Sequence, residues 1–132
     1  QNDNLISINA ALQVDLMGQV CSEAMGLKQF SGIGGQVDFV RGAAFSKGGK
    51  SILAFPSTAK KGTVSKIVPF LTEGACVTTS RTDVDYVITE FGIAELKGRT
   101  LRERARNLIN IAHPNFREEL KAEFEKRFKE KF

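Results

Sequence analysis

Residues 31–51, SGIGGQVDFVRGAAFSKGGKS, hold six glycines around a single apolar run. Glycine loses more conformational freedom on folding than any other residue, so regular structure here is confined to the run itself. That run, QVDFVRGAAFSK, is apolar on most sides through Val37, Phe39, Val40, Ala43, Ala44 and Phe45. It predicts a helix buried all round rather than one lying on the surface. Gly48 and Gly49 stop it where a helix end favours positive φ. Ahead of it, KQF reads as a short strand breaking into the loop SGIGG. Loop amides at a helix start are partly unpaired, lie near the positive end of the dipole and carry no Cβ in front of them. Such a loop can hold a phosphate, a carboxylate or the oxyanion of a tetrahedral intermediate. A plain tight turn is the competing reading, and both stay open on these residues alone.

Two phosphate motifs are excluded. GGKS ends like a P-loop, but its leading position is Ala44, and the order is helix, loop, strand instead of strand, loop, helix. Gly32, Gly34 and Gly35 lack the spacing of a dinucleotide fingerprint.

The rest of the first two thirds reads as short strands. LISINAALQVDLMGQV has apolar positions at Leu5, Ile8, Leu12, Val14, Leu16 and Val20, with a hairpin expected near Asp15–Gly18. KSILAFPS is a buried strand stopped by Pro56, and GTVSKIVPFL another stopped near Pro69. ACVTTS and VDYVITEF add two more, rich in β-branched residues. The last third is helical. TLRERARNLINIA puts Leu101, Ala105, Leu108, Ile109 and Ala112 on one face, with Thr100 and Glu103 forming a capping box. Asn115 is the expected cap of the next helix, with Glu118 three residues on. Phe116, Leu120, Phe124, Phe128 and Phe132 then repeat every fourth residue. Each such step drifts by about 40°, so Phe132 is expected to leave the shared face and to dock outside this segment or on nothing. Strands alternating with helices predict an α/β fold with a helical C-terminal third, one domain or part of one over 1–132.

Composition narrows the function. The net charge of +4 comes largely from KGRTLRERAR and KRFKEKF, where basic residues alternate with Glu as on a solvated helix face. Trp is absent and Tyr86 is the one tyrosine, against the stacking surface that a nucleic-acid binder wants. No apolar run reaches the roughly 18 residues of a membrane span. Neither nucleic acid nor membrane is expected as a partner. One histidine, His113, excludes a multi-histidine metal site within the sequence, and no metal is expected. Cys21 and Cys76 sit in apolar surroundings without metal spacing and read as buried thiols, which suits a reducing cytoplasm.

Further candidates stand beside the glycine loop. Lys60 and Lys61, in STAKKGTVS, leave a strand end and either meet a phosphate or are ordinary turn lysines. Asp83 and Asp85 read most simply as turn residues before a strand. Glu90, at that strand's end, reads as a buried ion-pair partner of Arg81 or Arg102 before it reads as a catalytic carboxylate.

Taken together, ISINAALQVDLMGQV, FSGIGGQVDFVRGAAFSKGGKSI, PSTAKKGTVSKIVP and VTTSRTDVDYVITEFGIAELKGRTLRERARNLINIAHPNFRE resemble the acetyl-CoA hydrolase/transferase family. The branch most resembled is the 4-hydroxybutyrate and butyryl-CoA:acetate CoA-transferases, and the likeness runs from about Leu5 to Glu119. It implies a part of the second α/β domain of a two-domain enzyme. The implied reaction moves CoA between a short-chain acyl-CoA and a carboxylate such as acetate, through a glutamyl-CoA thioester. The glutamate would lie upstream, and no residue of this sequence takes its role, Glu90 included. The resemblance further implies that Gly35, helped by Gly34, offers a backbone amide to the oxyanion and to CoA. Ser31 and Leu12 would line the CoA channel, and Lys60 would meet a cofactor phosphate as a point charge. Partners implied are acyl-CoA, a small carboxylate and the remainder of a parent polypeptide, with a homo-oligomer left open. An acyl-CoA hydrolase of the same fold and a non-catalytic binding module are the rivals.

Overall fold

A computed structural model describes residues 6–21, 24–25, 28–29, 49–71, 77 and 84–132. Gly34, Gly35, Ser31, Asp83, Arg81, Cys76 and the helix expected over 36–47 lie outside them, as does nearly all of the strand expected in ACVTTS.

The centre is a four-stranded sheet built on β6 (Lys50–Ala54). β1 (Ile6–Asn9) pairs with one side of it and β10 (Tyr86–Thr89) with the other, both parallel. A tight turn at Glu90 and Phe91 leads into β11 (Gly92–Glu95), which returns antiparallel along β10. Side chains alternate across these strands. Ser7, Ser51, Leu53, Val87, Thr89 and Ala94 point into the core. On the other face Ile8 and Ile93 are each 66% exposed.

β2 (Gln13–Asp15) pairs antiparallel with β3 (Val20–Cys21) and parallel with β9 (Ile67–Val68). Two further hairpins complete the strands: β4 (Ala24–Met25) with β5 (Lys28–Gln29), and β7 (Thr58–Ala59) with β8 (Val64–Ser65). The hairpin expected near Asp15–Gly18 is present. Asp15 Oδ1 accepts from the backbone N–H groups of Met17 and Gln19, both at 2.9 Å. Gly18 takes φ 88°, a left-handed value at which a Cβ would be strained. Cys21 is buried, as the apolar surroundings predict.

GTVSKIVPFL does not form one strand. It divides at Lys66 into β8 and β9, which belong to different sheets. The backbone there serves two neighbours: Lys66 N–H donates to the Ser57 carbonyl and the Lys66 carbonyl accepts from Val14 N–H, both at 2.9 Å.

The helical third follows as α1 (Leu101–Asn110) and α2 (Pro114–Phe128). The Thr100–Glu103 capping box forms with both reciprocal bonds. Ala105, Leu108 and Ile109 are fully buried, while Leu101 is 38% exposed. For α2 the expected cap is corrected. His113, not Asn115, caps it, with Nδ1 accepting the Asn115 N–H at 3.1 Å. Pro114 explains the shift, since its missing N–H and preset φ suit the first helical position.

The expectation for Phe132 is also overturned. Lys129 takes the left-handed conformation (φ 53°, ψ 43°) and ends α2. The chain then folds back, and Glu125 accepts the Phe132 N–H at 3.0 Å. Phe132 meets Phe124 edge-on at 5.4 Å between centroids, while Phe128 lies 4.9 Å from Phe124. Arg106 stacks over Phe124 and, with Arg102, pairs Glu130. The helical drift is undone by a reversal of the backbone.

Phe124 is thus the hub on which both helices and the tail close. Phe124→Ala is expected to cost about 3–5 kcal/mol, the usual price of emptying a buried aromatic site. Phe132→Ala, at a partly buried position, should cost less than half of that. Urea unfolding of the two variants checks the ratio.

Candidate functional site

Because β1, β6 and β10 are parallel, their carboxyl ends share one edge, where open α/β sheets take ligands. Three connections leave there. The first runs through Ala10, Ala11 and Leu12 into β2, the second through Phe55, Pro56 and Ser57 into the β7–β8 hairpin, and the third is the Glu90–Phe91 turn. Two contacts stitch them together. Glu90 Oε1 accepts the Ser57 N–H at 2.7 Å, joining the second to the third. Lys66 Nζ donates to the Ala11 carbonyl at 3.1 Å and lies 5.8 Å from the Phe55 ring centroid, joining the first to the second.

Glu90 therefore corrects its expected role. It is exposed, and Arg102 pairs with Glu130 instead. The small burial of its carboxyl raises its pKa, but hydrogen bonding from Ser57 outweighs this and holds it below the usual 4.5. A Ser–His–acid reading of Ser57, His113 and Glu90 fails on geometry. Ser57 is fully buried, and among the described residues its Oγ has no hydrogen-bond partner. His113 Nδ1 is occupied as an acceptor, so the neutral ring carries its proton on Nε2 and has no free lone pair to act as base.

Asp85, expected as a turn residue, is a buried clasp at the opposite, amino end of the strands. Ser51 N–H donates to Asp85 Oδ2 at 2.9 Å, and Asp85 N–H donates back to Ser51 Oγ at 3.0 Å. Lys97 lies 3.9 Å from its other oxygen. This carboxylate is spent on pinning β6 to β10 and sits away from the ligand edge.

Lys60 and Lys61 occupy the tip of the β7–β8 hairpin, and both are exposed. Their φ values are 50° and 57°, followed by Gly62 at 85°. Thr63 fastens the turn by donating both its N–H and its hydroxyl to the Lys60 carbonyl. Left-handed lysines cost about 1–2 kcal/mol each, so the hairpin presents two cations at some expense. Leu12 is half-buried, its N–H donating to the Cys21 carbonyl at 2.8 Å. Lys66, not singled out in the sequence, holds the two loops that carry Leu12 and Lys60. Only its position inside SKIVP, where an apolar strand is interrupted by one cation, could have marked it.

A groove of about 340 Å³ lies between β8–β9 and α2, with Val64, Ile67, Pro69, Phe116 and Leu120 among its walls. Glu119 and Glu123 stand on it as well, a poor setting for an anionic ligand. Among the described residues no three His, Cys, Asp or Glu side chains gather as a metal site, and no helix is long and apolar enough to cross a membrane.

The family model for the acetyl-CoA hydrolase/transferase C-terminal domain matches residues 1–124. The 4-hydroxybutyrate coenzyme A transferase of Clostridium kluyveri is 70% identical over 128 residues, covering 97% of this chain and 30% of the relative. The butyryl-CoA:acetate CoA-transferase of Anaerostipes caccae is 50% identical over 127 residues, 94% of this chain and 28% of the relative. The crystal structure of RipA from Yersinia pestis superimposes with a TM-score of 0.87 at 54% identity, over 98% of this chain and 29% of that one. The chain thus spans less than a third of the relatives it matches.

The Glu90 contact carries a pH signature. A carboxyl held low when folded stabilises fully above its unfolded value near 4.5, and that contribution is lost as pH falls through the lower folded value. Glu90→Gln keeps an acceptor for the Ser57 N–H but cannot titrate. The variant is therefore expected to lose less stability than wild type between neutral pH and the acid side of that window, measured by urea unfolding at each pH.

Proposed function

We propose, for a chain that belongs to the acetyl-CoA hydrolase/transferase family through its C-terminal domain, that it is the CoA-binding part of a CoA-transferase working within a longer parent polypeptide. The observation that carries this is the match of nearly the whole chain, at 70% identity, to a 4-hydroxybutyrate coenzyme A transferase. The geometry agrees with it: the Leu12 loop and the Lys60 hairpin leave one sheet edge and are joined there by Lys66.

In this reading CoA passes between a short-chain acyl-CoA, such as 4-hydroxybutyryl-, butyryl- or acetyl-CoA, and a carboxylate such as acetate. A glutamate of the upstream polypeptide attacks the thioester carbonyl and expels the CoA thiolate. The thiolate returns to the glutamyl carbonyl, releasing the first acid and leaving a glutamyl-CoA thioester. The incoming carboxylate runs the same steps in reverse. The backbone N–H of Gly35, with Gly34 clearing the approach, stabilises the oxyanion formed at each carbonyl. A single donor of this kind is worth about 2.7–4 kcal/mol. Ser31 and Leu12 line the channel, and the Lys60 ammonium meets a CoA phosphate. The exposure of Lys60 at the strained hairpin tip supports that last role.

The family's description also names hydrolases, so water is the second candidate acceptor. The choice depends on how well the closed pocket excludes water. In the parent polypeptide, consumption of acyl-CoA should depend on added acetate; consumption at the same rate without it would make the enzyme a hydrolase. Residues 1–132 alone should turn over no acyl-CoA, because the attacking carboxylate is missing. In the parent, Lys60→Ala should raise KM for acyl-CoA about tenfold with kcat little changed, the pattern of a lost contact made equally in ground and transition states.

A further inference from the structure

Lys66 makes contacts that its place in a strand-like sequence does not call for. Its N–H binds the Ser57 carbonyl, its carbonyl binds Val14 N–H, and its ammonium binds the Ala11 carbonyl. One residue therefore flanks Leu12, touching Ala11 in the connection after β1 and Val14 in β2, and also reaches the connection after β6 at Ser57. Ala11 and Val14 are buried, and Lys66 itself is half-buried over the Phe55 ring. Burial pulls its ammonium below the ordinary lysine range. Among the described residues no carboxylate pairs with it. A partly desolvated cation without a counter-ion is costly for stability alone, where a methionine would fill the same space. What the charge adds is a directional bond from one loop to another, worth more than a neutral one.

We infer that Lys66 is a positioning residue of the CoA site, its ammonium holding the Leu12 loop in register with the hairpin that presents Lys60. The inference rests on the reading of that edge given under Proposed function. Lys66 touches neither reacting atoms nor cofactor in this role; it sets the spacing between two groups that do. The aliphatic stem contributes packing that any long side chain supplies, whereas the bond to Ala11 requires a donor at the end of that stem.

The test uses the parent polypeptide with Lys66→Met and Lys66→Arg. Lys66→Met should raise KM for acyl-CoA about tenfold, as expected for a lost charge-assisted bond, with kcat within about twofold. Lys66→Arg should recover most of the loss, because a guanidinium can donate to the same carbonyl. Hydrogen exchange at residues 10–16 should quicken in Lys66→Met and return toward wild type in Lys66→Arg. Unchanged exchange there would overturn the clamp whatever the activity. Quickened exchange with an unaltered KM would overturn its service to the CoA site. If wild-type parent transfers no CoA, the functional reading fails, and the exchange measurement still decides whether Lys66 ties the loops.

Discussion

Everything at the carboxyl edge of the sheet depends on β6 being paired in parallel on both sides. Parallel pairing brings the carboxyl ends of β1, β6 and β10 to one place, and only there do the loops carrying Leu12, Lys60 and Glu90 meet. The pairing is held from the opposite end by the reciprocal bonds between Ser51 and Asp85. A buried side chain and backbone answering each other across two strands fix register, because a slip by one residue would turn every core side chain outward. Asp85 thus serves the site from the far end of the strands.

The helical third supports this arrangement from behind. α1 packs on β11, and α2 closes over α1 through Phe124. Thr89, the last residue of β10, donates its hydroxyl to the Ile111 carbonyl at 2.6 Å and accepts the Phe91 N–H. The turn bearing Glu90 is therefore anchored to the end of α1. Glu90 in turn holds Ser57, and Ser57 accepts from Lys66. A chain of contacts runs from the helices to the loops, each link a hydrogen bond with a named donor.

Much of this was legible in the residues. β6 announces itself as an apolar run stopped by Pro56 and β10 by its β-branched residues, and the capping box of α1 is explicit in Thr100 and Glu103. The hairpin at Asp15–Gly18 follows from turn chemistry that Asp and Gly supply. Two of the misreadings share a cause, contacts made far along the chain. Asp85 looks like a turn residue because its partner Ser51 is 34 positions away. Lys66 looks like mid-strand because Ser57, Val14 and Ala11 are visible only in three dimensions. Phe132 was placed by extending a helix that Lys129 ends. Local pattern fixes elements well and says little about which buried polar group answers which.

The proposed division of labour is between a sheet edge with the loops it carries, which would hold CoA, and an attacking group that would come from elsewhere in the parent polypeptide. A crystal structure of that parent bound to CoA measures this most directly. The account predicts the pantetheine arm passing Leu12, with a phosphate oxygen within ion-pair distance of Lys60. CoA seated at the amino ends of the strands, beside Lys50 and Lys97, or in the groove between β9 and α2, would contradict it.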